Sequence, residues 1–303
     1  MNLKRAIFCR HPSRFGRVRV QAMSALLLLV LVRPILASED GVPPIVMHTL
    51  KPLQLITDGL SGGLLDTRLL SLGAQQAHSY TVKFSDLQQI QQAQLLVWMG
   101  AEFEHYLQKP LDALQPTVLD FAWLVSQEGD AHGGEALVEH LWLDPAIVAG
   151  RISRLAEKLA QVQPSRRSEF QRRATEFATH VLKIDAEMIA LFAPYKGRGV
   201  VADHHGVELF LRRYGLRYVG SLQSANHSSL SLKQVRRLRK EVRLKNAECV
   251  VLSEPHAGTD LLQIFSGLEI ATAQVDILGE QADSYGQLIR QLGESIASCL
   301  NKE

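Results

Sequence analysis

Three histidines and one aspartate lie just beyond segments of the chain whose sequences are typical of strands. They are His78, His140, His204 and Asp276. Because the carboxyl ends of parallel strands meet at one edge of a sheet, side chains that follow such strands can face a shared cleft. Neutral imidazole nitrogens with one carboxylate suit a borderline cation such as zinc in a four-coordinate site. The chain contains 11 histidines, so spacing alone does not single out these three.

The best-defined of these positions is His140, which opens the run His140-Leu141-Trp142-Leu143-Asp144-Pro145. An aspartate caps a helix well and a proline fits its first turn, so a helix is predicted to begin after Asp144. His140 would then lie at the mouth of the turn, held by the Leu-Trp-Leu anchor. A lone histidine in such a place is more often structural, and the metal interpretation depends on the comparable histidines elsewhere.

Strand-like and helix-like segments alternate in two parts of the chain. In the first part, the predicted strands are 45–49, 67–72, 94–100 and 117–124, and the predicted helices are 52–59, 84–93 and 102–114, with Ser85 as the cap of the second. In the second part, the strands are 199–203, 216–222, 249–253 and 272–278, and the helices are 207–214, 231–246, 259–266 and 284–300. This alternation predicts an α/β fold with mostly parallel sheets. The strongly basic helix 231–246 is interpreted as a solvated face.

The clearest periodic feature lies between Pro164 and Pro194, where apolar residues recur at steps of four and three. The pattern predicts a helix over 165–193, about 43 Å long at 1.5 Å per residue. A helix of this length with one apolar stripe is expected to back two lobes. The predicted organisation is an N-terminal lobe at 38–163, the linking helix at 164–194 and a C-terminal lobe at 195–303. Ligands of open α/β sheets usually bind in a cleft at the strand ends.

The first 37 residues resemble a cleaved secretory signal peptide. Seven basic residues and no acid precede position 38, and the apolar run Ala22–Val32 is too short to cross a bilayer, which takes about 20 residues. Removing residues 1–37 leaves 26 basic and 31 acidic residues, which changes the net charge from +2 to −5. The mature chain therefore has no nucleic-acid footprint, and no cysteine follows the run that could carry a lipid. These features predict a periplasmic protein without a membrane anchor.

Two cysteines remain once the leader has been removed, Cys249 and Cys299. An even pair in an oxidising compartment favours a disulfide over two buried thiols. The bridge would close a loop of 50 residues and contribute about 4 kcal/mol on the chain-entropy model.

The sequence resembles the periplasmic solute-binding proteins of ABC-type zinc and manganese uptake, and it is most similar to the zinc-binding branch. The resemblance runs from Met47–Leu53 to Ala297–Leu300. Its most specific stretches are His140–Pro145, His204-His205-Gly206 with Phe210 and Tyr214–Leu216 downstream, and Ser253-Glu254-Pro255. It implies two α/β lobes bridged by a long helix, a Zn²⁺ ion as the transported ligand, an ABC membrane permease as the partner, and a monomer that is not an enzyme.

By the same resemblance, the family's three metal histidines fall on His78, His140 and His204, and its carboxylate falls on Asp276. A histidine at the third position favours zinc over manganese. The family's disulfide maps onto Cys249 and Cys299. The loop before the second ligand, 126–139, is short and contains only His132, whereas zinc-branch proteins often carry a long His-rich loop there.

Three alternatives remain open on the sequence. His205 could replace His204 as a ligand, although helix geometry does not easily direct both at one ion. A manganese or iron carrier of the same family would differ mainly at His204. A zinc hydrolase also uses three histidines with an open fourth position, but no His-Glu-x-x-His occurs and no acid is placed by motif as the general base.

Overall fold

Two parallel sheets organise the chain. The computed structural model describes residues 42–70, 80–126, 140–203, 205–222, 231–253 and 263–301, all of them within one compact unit, Val42–Glu303. No helix in these ranges is both long enough and apolar enough to cross a bilayer. Of the proposed site residues, His78 and His204 lie outside the described residues, as do the leader and most of the short loop before His140.

The first sheet has four parallel strands in the order β2-β1-β3-β4. Its strands are β1 (Ile45–His48), β2 (Asp66–Leu69), β3 (Leu95–Trp98) and β4 (Val118–Asp120). The helices of this part are α1 (Lys51–Ser61), α2 (Phe84–Gln92), α3 (His105–Leu114) and α4 (Phe121–Ser126). All four residues of β3 are buried, as expected for a central strand of a parallel sheet that is covered on both faces.

The second sheet repeats the order of the first, as β6-β5-β7-β8, and is also parallel. Its strands are β5 (Gly199–Ala202), β6 (Arg217–Ser221), β7 (Ala247–Leu252) and β8 (Ala271–Gln274). Its helices are α7 (Glu208–Arg213), α8 (Leu232–Leu244) and α9 (Tyr285–Leu300). In both sheets the strand order reverses between the first and third strands along the chain, which is where open α/β sheets form their ligand crevice.

Two long antiparallel helices join the sheets: α5 (Pro145–Val162) and α6 (Arg167–Phe192). The 26 residues of α6 give a rod of about 39 Å, and short 3-10 turns flank it at Pro164–Arg166 and Ala193–Tyr195. The predicted apolar stripe is buried. Phe177 fills the space above Gly59 of α1, and Met188 fills the space above Gly293 of α9. The long helix therefore packs against helices of both sheets, as the sequence predicts.

Several predicted boundaries are wrong for local reasons. Ser85 does not cap α2; the N-cap is Lys83, whose backbone N–H donates to the Asp86 carboxylate at 2.8 Å. The predicted strand 117–124 ends at Asp120, because the Asp120 carboxylate accepts the backbone N–H of Trp123 at 2.8 Å and starts α4. Of the predicted helix 259–266, the described part contains only a 3-10 turn, Gln263–Phe265.

A disulfide joins the second sheet to the last helix. Cys249 in β7 and Cys299 in α9 are bonded, with their Cα atoms 5.8 Å apart, and both residues are buried. This is the pairing expected from the sequence. It therefore links α9 covalently to β7, one of the two central strands of the second sheet.

Candidate metal centre

His140 lies in a 3-10 turn, residues 140–143, that directly precedes α5. The aspartate of the Asp-Pro pair caps α5 as predicted, because the Asp144 carboxylate accepts the backbone N–H groups of Ala146 and Ile147 at 2.9 and 3.2 Å. The imidazole of His140 is only 3% exposed. The ring centroids of Phe103 and Trp142 lie 5.6 and 5.1 Å from that of His140, so aromatic packing fixes the position of the imidazole.

Trp142 connects this turn to the second half of the chain. Its indole N–H donates to the backbone carbonyl of Ile277 at 2.8 Å, and its own carbonyl accepts the hydroxyl of Tyr285 at 2.8 Å. Both hydrogen bonds are buried. They join the His140 turn directly to the segment that contains Asp276, one residue before Ile277.

A second histidine segment reaches His140 from the end of β5. His205 begins a 3-10 turn, His205–Val207, and is 7% exposed. The ring centroids of His140 and His205 are 6.0 Å apart, with the ring planes nearly perpendicular. The structure therefore brings together His140 and the residue that follows His204, which is the residue weighed above as an alternative ligand.

The end of β5 is tied to the end of β7 by Asp203. Its buried carboxylate accepts the hydroxyl of Ser253 at 2.8 and 3.0 Å and the backbone N–H of Ser253 at 2.5 Å. Because Ser253 follows β7, this contact holds the two strands together at the point where the strand order reverses. The sequence stretch Ser253-Glu254-Pro255 thus begins with a residue that supports the histidine segment.

Asp276 lies in the turn after β8 and is partly buried. Its Oδ1 accepts the backbone N–H groups of Leu278 and Gly279 at 3.1 and 2.7 Å, and its Oδ2 accepts that of Gln281 at 3.1 Å. A carboxylate has about four lone-pair sites, so three bonds to its own turn leave capacity for a further partner. The turn fixes the direction of this carboxylate before any ligand arrives.

An ion-pair network contacts Asp144, the residue that follows the His140 turn. The guanidinium of Arg213 in α7 lies 3.3 Å from the Asp144 carboxylate and donates to the Asp185 carboxylate of α6 at 2.6 Å. The hydroxyl of Tyr214 also donates to Asp185, at 3.0 Å. Burial raises the pKa of Asp144, while Arg213 and the helix N–H groups act in the opposite direction. The network joins the N-terminus of α5 to the long helix.

Sequence reasoning did not single out two buried ionisable residues at the edge of the first sheet. Glu104 accepts the Thr49 hydroxyl at 2.9 Å and the Met99 N–H at 2.6 Å, and burial raises its pKa to about 7. His48 ends β1 and is fully buried, and this burial lowers its pKa to about 4. Neither residue carries a motif. The only usable signal was their position after apolar runs, which many polar residues share.

Among the described residues, no three His, Cys, Asp or Glu side chains are grouped closely enough to hold a metal ion. Since His78 and His204 lie outside the described residues, His140 and Asp276 are the two members of the predicted ligand set whose surroundings are defined. Both lie in segments linked through Trp142, and His140 faces the segment that carries His204 and His205.

Comparison with known proteins identifies the family of the chain over residues 46–299. The profile of the family described as zinc-uptake complex component A, periplasmic, matches residues 46–299. The high-affinity zinc uptake system protein ZnuA of Brucella suis is 25% identical over 307 residues, which covers 85% of this chain and 92% of that protein. Its namesake in Yersinia pestis is 22% identical over 288 residues, with 84% and 91% covered.

The fold is shared with solved structures at low sequence identity. The periplasmic zinc binding protein TroA from Treponema pallidum superimposes with a TM-score of 0.72 at 18% identity, covering 86% of this chain and all of that one. A crystal structure of ZnuA gives a TM-score of 0.73 at 18% identity, with 86% and 100% covered. Since the family profile spans both sheets and the helices that join them, the chain belongs to the family of periplasmic component A of zinc-uptake complexes.

Proposed function

We propose that this protein binds Zn²⁺ in the periplasm and delivers it to the membrane permease of an ABC-type transporter. Membership of the zinc-uptake family supports this function, as do the names of the relatives. Zinc is the cargo in this proposal and the protein is a carrier, not an enzyme. We further propose that it acts as a monomer, with a cleaved leader at 1–37, lobes at 38–163 and 195–303, and a linking helix at 164–194.

The proposed ligands are the imidazoles of His78, His140 and His204, with the carboxylate of Asp276 completing or closely supporting the set. The observation that carries the proposal is the 6.0 Å separation of the His140 and His205 rings. It brings segments from the two halves of the chain to one place, and one of them contains His204. Buried aromatic neighbours fix the His140 ring, so binding does not require the loss of its rotational freedom.

The structure favours a supporting role for Asp276. Its three bonds to backbone N–H groups hold the carboxylate in a fixed orientation, which suits a group that closes a site. Loss of a supporting partner of this kind usually costs about 10–100-fold in metal affinity. Loss of a direct imidazole ligand costs more.

Calorimetric zinc titration of single alanine variants tests the ligand set. We expect His78→Ala, His140→Ala and His204→Ala each to weaken zinc binding by more than about 100-fold, and Asp276→Ala by about 10–100-fold. His180→Ala is the matched control, because His180 lies on the exposed face of α6. Unchanged affinity in His140→Ala or His204→Ala would contradict the assignment. A loss in His205→Ala with none in His204→Ala would move the third ligand by one residue.

Competition with manganese tests the choice of metal. Three imidazoles favour zinc, and His204→Glu is expected to shift preference toward manganese because a harder oxygen replaces a nitrogen. Zinc binding should also weaken as the pH falls through about 6.5, the ordinary pKa of histidine, since the imidazoles bind only when neutral. A parent protein that prefers manganese would support the alternative carrier described above.

A further inference from the structure

The helix α8 presents an outward face made almost entirely of cations. Of its 13 residues, six are Lys or Arg and one is acidic. At 100° per residue, five of the cations share one side with two leucines, and all seven residues are exposed. These residues, which we call the basic face, are Leu232, Lys233, Arg236, Arg237, Lys240, Arg243 and Leu244.

The opposite side of α8 is what holds it in the fold. Leu238 and Val242 are buried in a cluster with Val201, Val219 and Val250 of the second sheet. Arg239 lies at the edge of the helix and donates to the backbone carbonyl of Ser266 at 3.1 Å. The basic face is thus directed away from the sheet. The packing of Leu238 and Val242 holds the helix in place, and the basic face takes no part in that packing.

The cations of the basic face are only weakly neutralised within the described part of the chain, where Arg237 and Lys240 have a coulombic interaction with Glu241. Glu241 pairs with Lys245 at 3.0 Å, whereas none of the five exposed cations forms a salt bridge with a described acid. Arg236, Arg239, Lys240 and Arg243 instead line a depression of about 380 Å³ together with Leu244. Guanidinium groups such as those of Arg236 and Arg243 are well suited to bind phosphate oxygens.

The basic face is a local feature, because the chain without its leader carries a net charge of −5. Two leucines on the same face, 78% and 70% exposed, lie about 18 Å apart along the helix at 1.5 Å per residue. Long cationic side chains beside exposed leucines are typical of helices that lie on a lipid surface. Charge and shape therefore favour lipid over an acidic protein partner.

We propose that α8 is a peripheral membrane contact that binds anionic phospholipid headgroups through its basic face. The contact does not depend on the proposed zinc site, since the basic face contains none of the proposed ligands. It would hold the carrier at the periplasmic surface of the membrane and reduce its search for the permease to two dimensions.

Co-sedimentation of the mature protein with lipid vesicles tests this proposal. We expect binding to vesicles of phosphatidylglycerol and phosphatidylethanolamine, and none to neutral phosphatidylcholine vesicles. Binding should weaken as salt is raised above about 0.1 M, where the Debye length is about 10 Å. Arg236→Glu with Lys240→Glu should weaken binding by at least about tenfold, since each basic residue contributes measurably at an anionic surface.

The matched control is Lys109→Glu with Lys183→Glu, two exposed cations on α3 and α6 that give the same change in net charge. Equal losses in both double variants would overturn the proposal, because net charge alone would then govern binding. Binding of the mature protein to the solubilised permease but not to anionic vesicles, lost in the α8 variant, would overturn it in favour of a protein partner. Zinc titration of the α8 variant should match the parent, so a failure of the metal site and a failure of the membrane contact are distinguishable.

Discussion

Glu104 is a buried carboxyl whose hydrogen bonds hold the edge of the first sheet. It accepts bonds from Thr49 and Met99, and its neighbour Phe103 packs against His140. Burial is the largest cause of its raised pKa, and the hydrogen bonds act in the opposite direction. The same residue therefore lies next to the aromatic contact beside the candidate metal centre and makes the stability of this edge sensitive to pH.

The pKa of Glu104 predicts how stability changes with pH in the metal-free protein. Its value of about 7 in the folded state lies above the 4.5 of an exposed glutamate, so folding favours the protonated form. The contribution of Glu104 to stability is fully present below about pH 4.5 and is lost as the pH rises through about 7, by up to about 3 kcal/mol. We expect Glu104→Gln to flatten this slope in urea unfolding measured across the range.

Glu102→Gln is the control for that measurement, since Glu102 is exposed two residues away. A parent and a Glu104→Gln variant with the same slope between pH 5 and about 7.5 would show that Glu104 titrates near its ordinary pKa.

The indole of Trp142 joins the His140 turn to the Asp276 segment by a buried hydrogen bond. Trp142→Phe keeps an aromatic ring but leaves the buried Ile277 carbonyl without its donor, so we expect a loss of about 1–3 kcal/mol in unfolding free energy. Zinc affinity should fall as well, because a direct hydrogen bond between the two proposed ligand segments is lost. Trp123→Phe, at a residue that is 53% exposed, should change neither quantity in unfolding and zinc titration.

Among the helices and strands, the long helix α6 is held in the fold by one buried apolar stripe. Ile184 is fully buried, and its side chain fills the space above Gly286 of α9. Ile189 lies on the same helix and is 45% exposed. The helix offers two isoleucines of opposite burial, which separates packing from helix propensity.

We expect Ile184→Ala to lower the unfolding free energy by about 2–5 kcal/mol through the cavity it leaves. Ile189→Ala should change it by less than about 0.5 kcal/mol. Chemical denaturation of both variants makes the comparison. Similar losses in the two would mean that α6 is not anchored by its stripe.

The elements were predictable because periodic burial leaves a clear mark on the sequence. The sequence correctly predicted the stripe of α6, the alternation of strands and helices, and the start of α5 at Asp144-Pro145. The family profile confirms the family resemblance and its non-enzymatic role. The cap at Ser85 was wrong because α2 begins after Lys83, whose backbone N–H is bound by Asp86 at the third helical position. Glu104 and His48 escaped prediction because burial of a polar residue depends on contacts between distant segments. The ligand set His78, His140, His204 and Asp276 stays a prediction.

The leader and the rest of the chain carry opposite net charges. Residues 1–37 hold seven basic residues and no acid, so cleavage near Ser38 or Glu39 should turn a basic precursor into an acidic mature protein. We expect isoelectric focusing of the exported protein to give an isoelectric point below 7, with N-terminal sequencing starting at 38 or 39. A basic exported form that retains Met1 would contradict the assignment of the leader.

One apolar core runs through both halves of the molecule. It includes residues of the first sheet, of α6, of the second sheet and of α9, among them Val46, Val97, Val181, Ile184, Val200, Val251 and Leu288. A hinge needs a seam that few apolar contacts cross, and among the described residues this core has no such seam at the long helix. We infer that cargo release does not proceed by the halves parting like a clamshell. The barrier to zinc release is then set by small movements of the segments around the ion. Because the core is continuous, a calorimetric scan of the metal-free protein should show one cooperative unfolding transition.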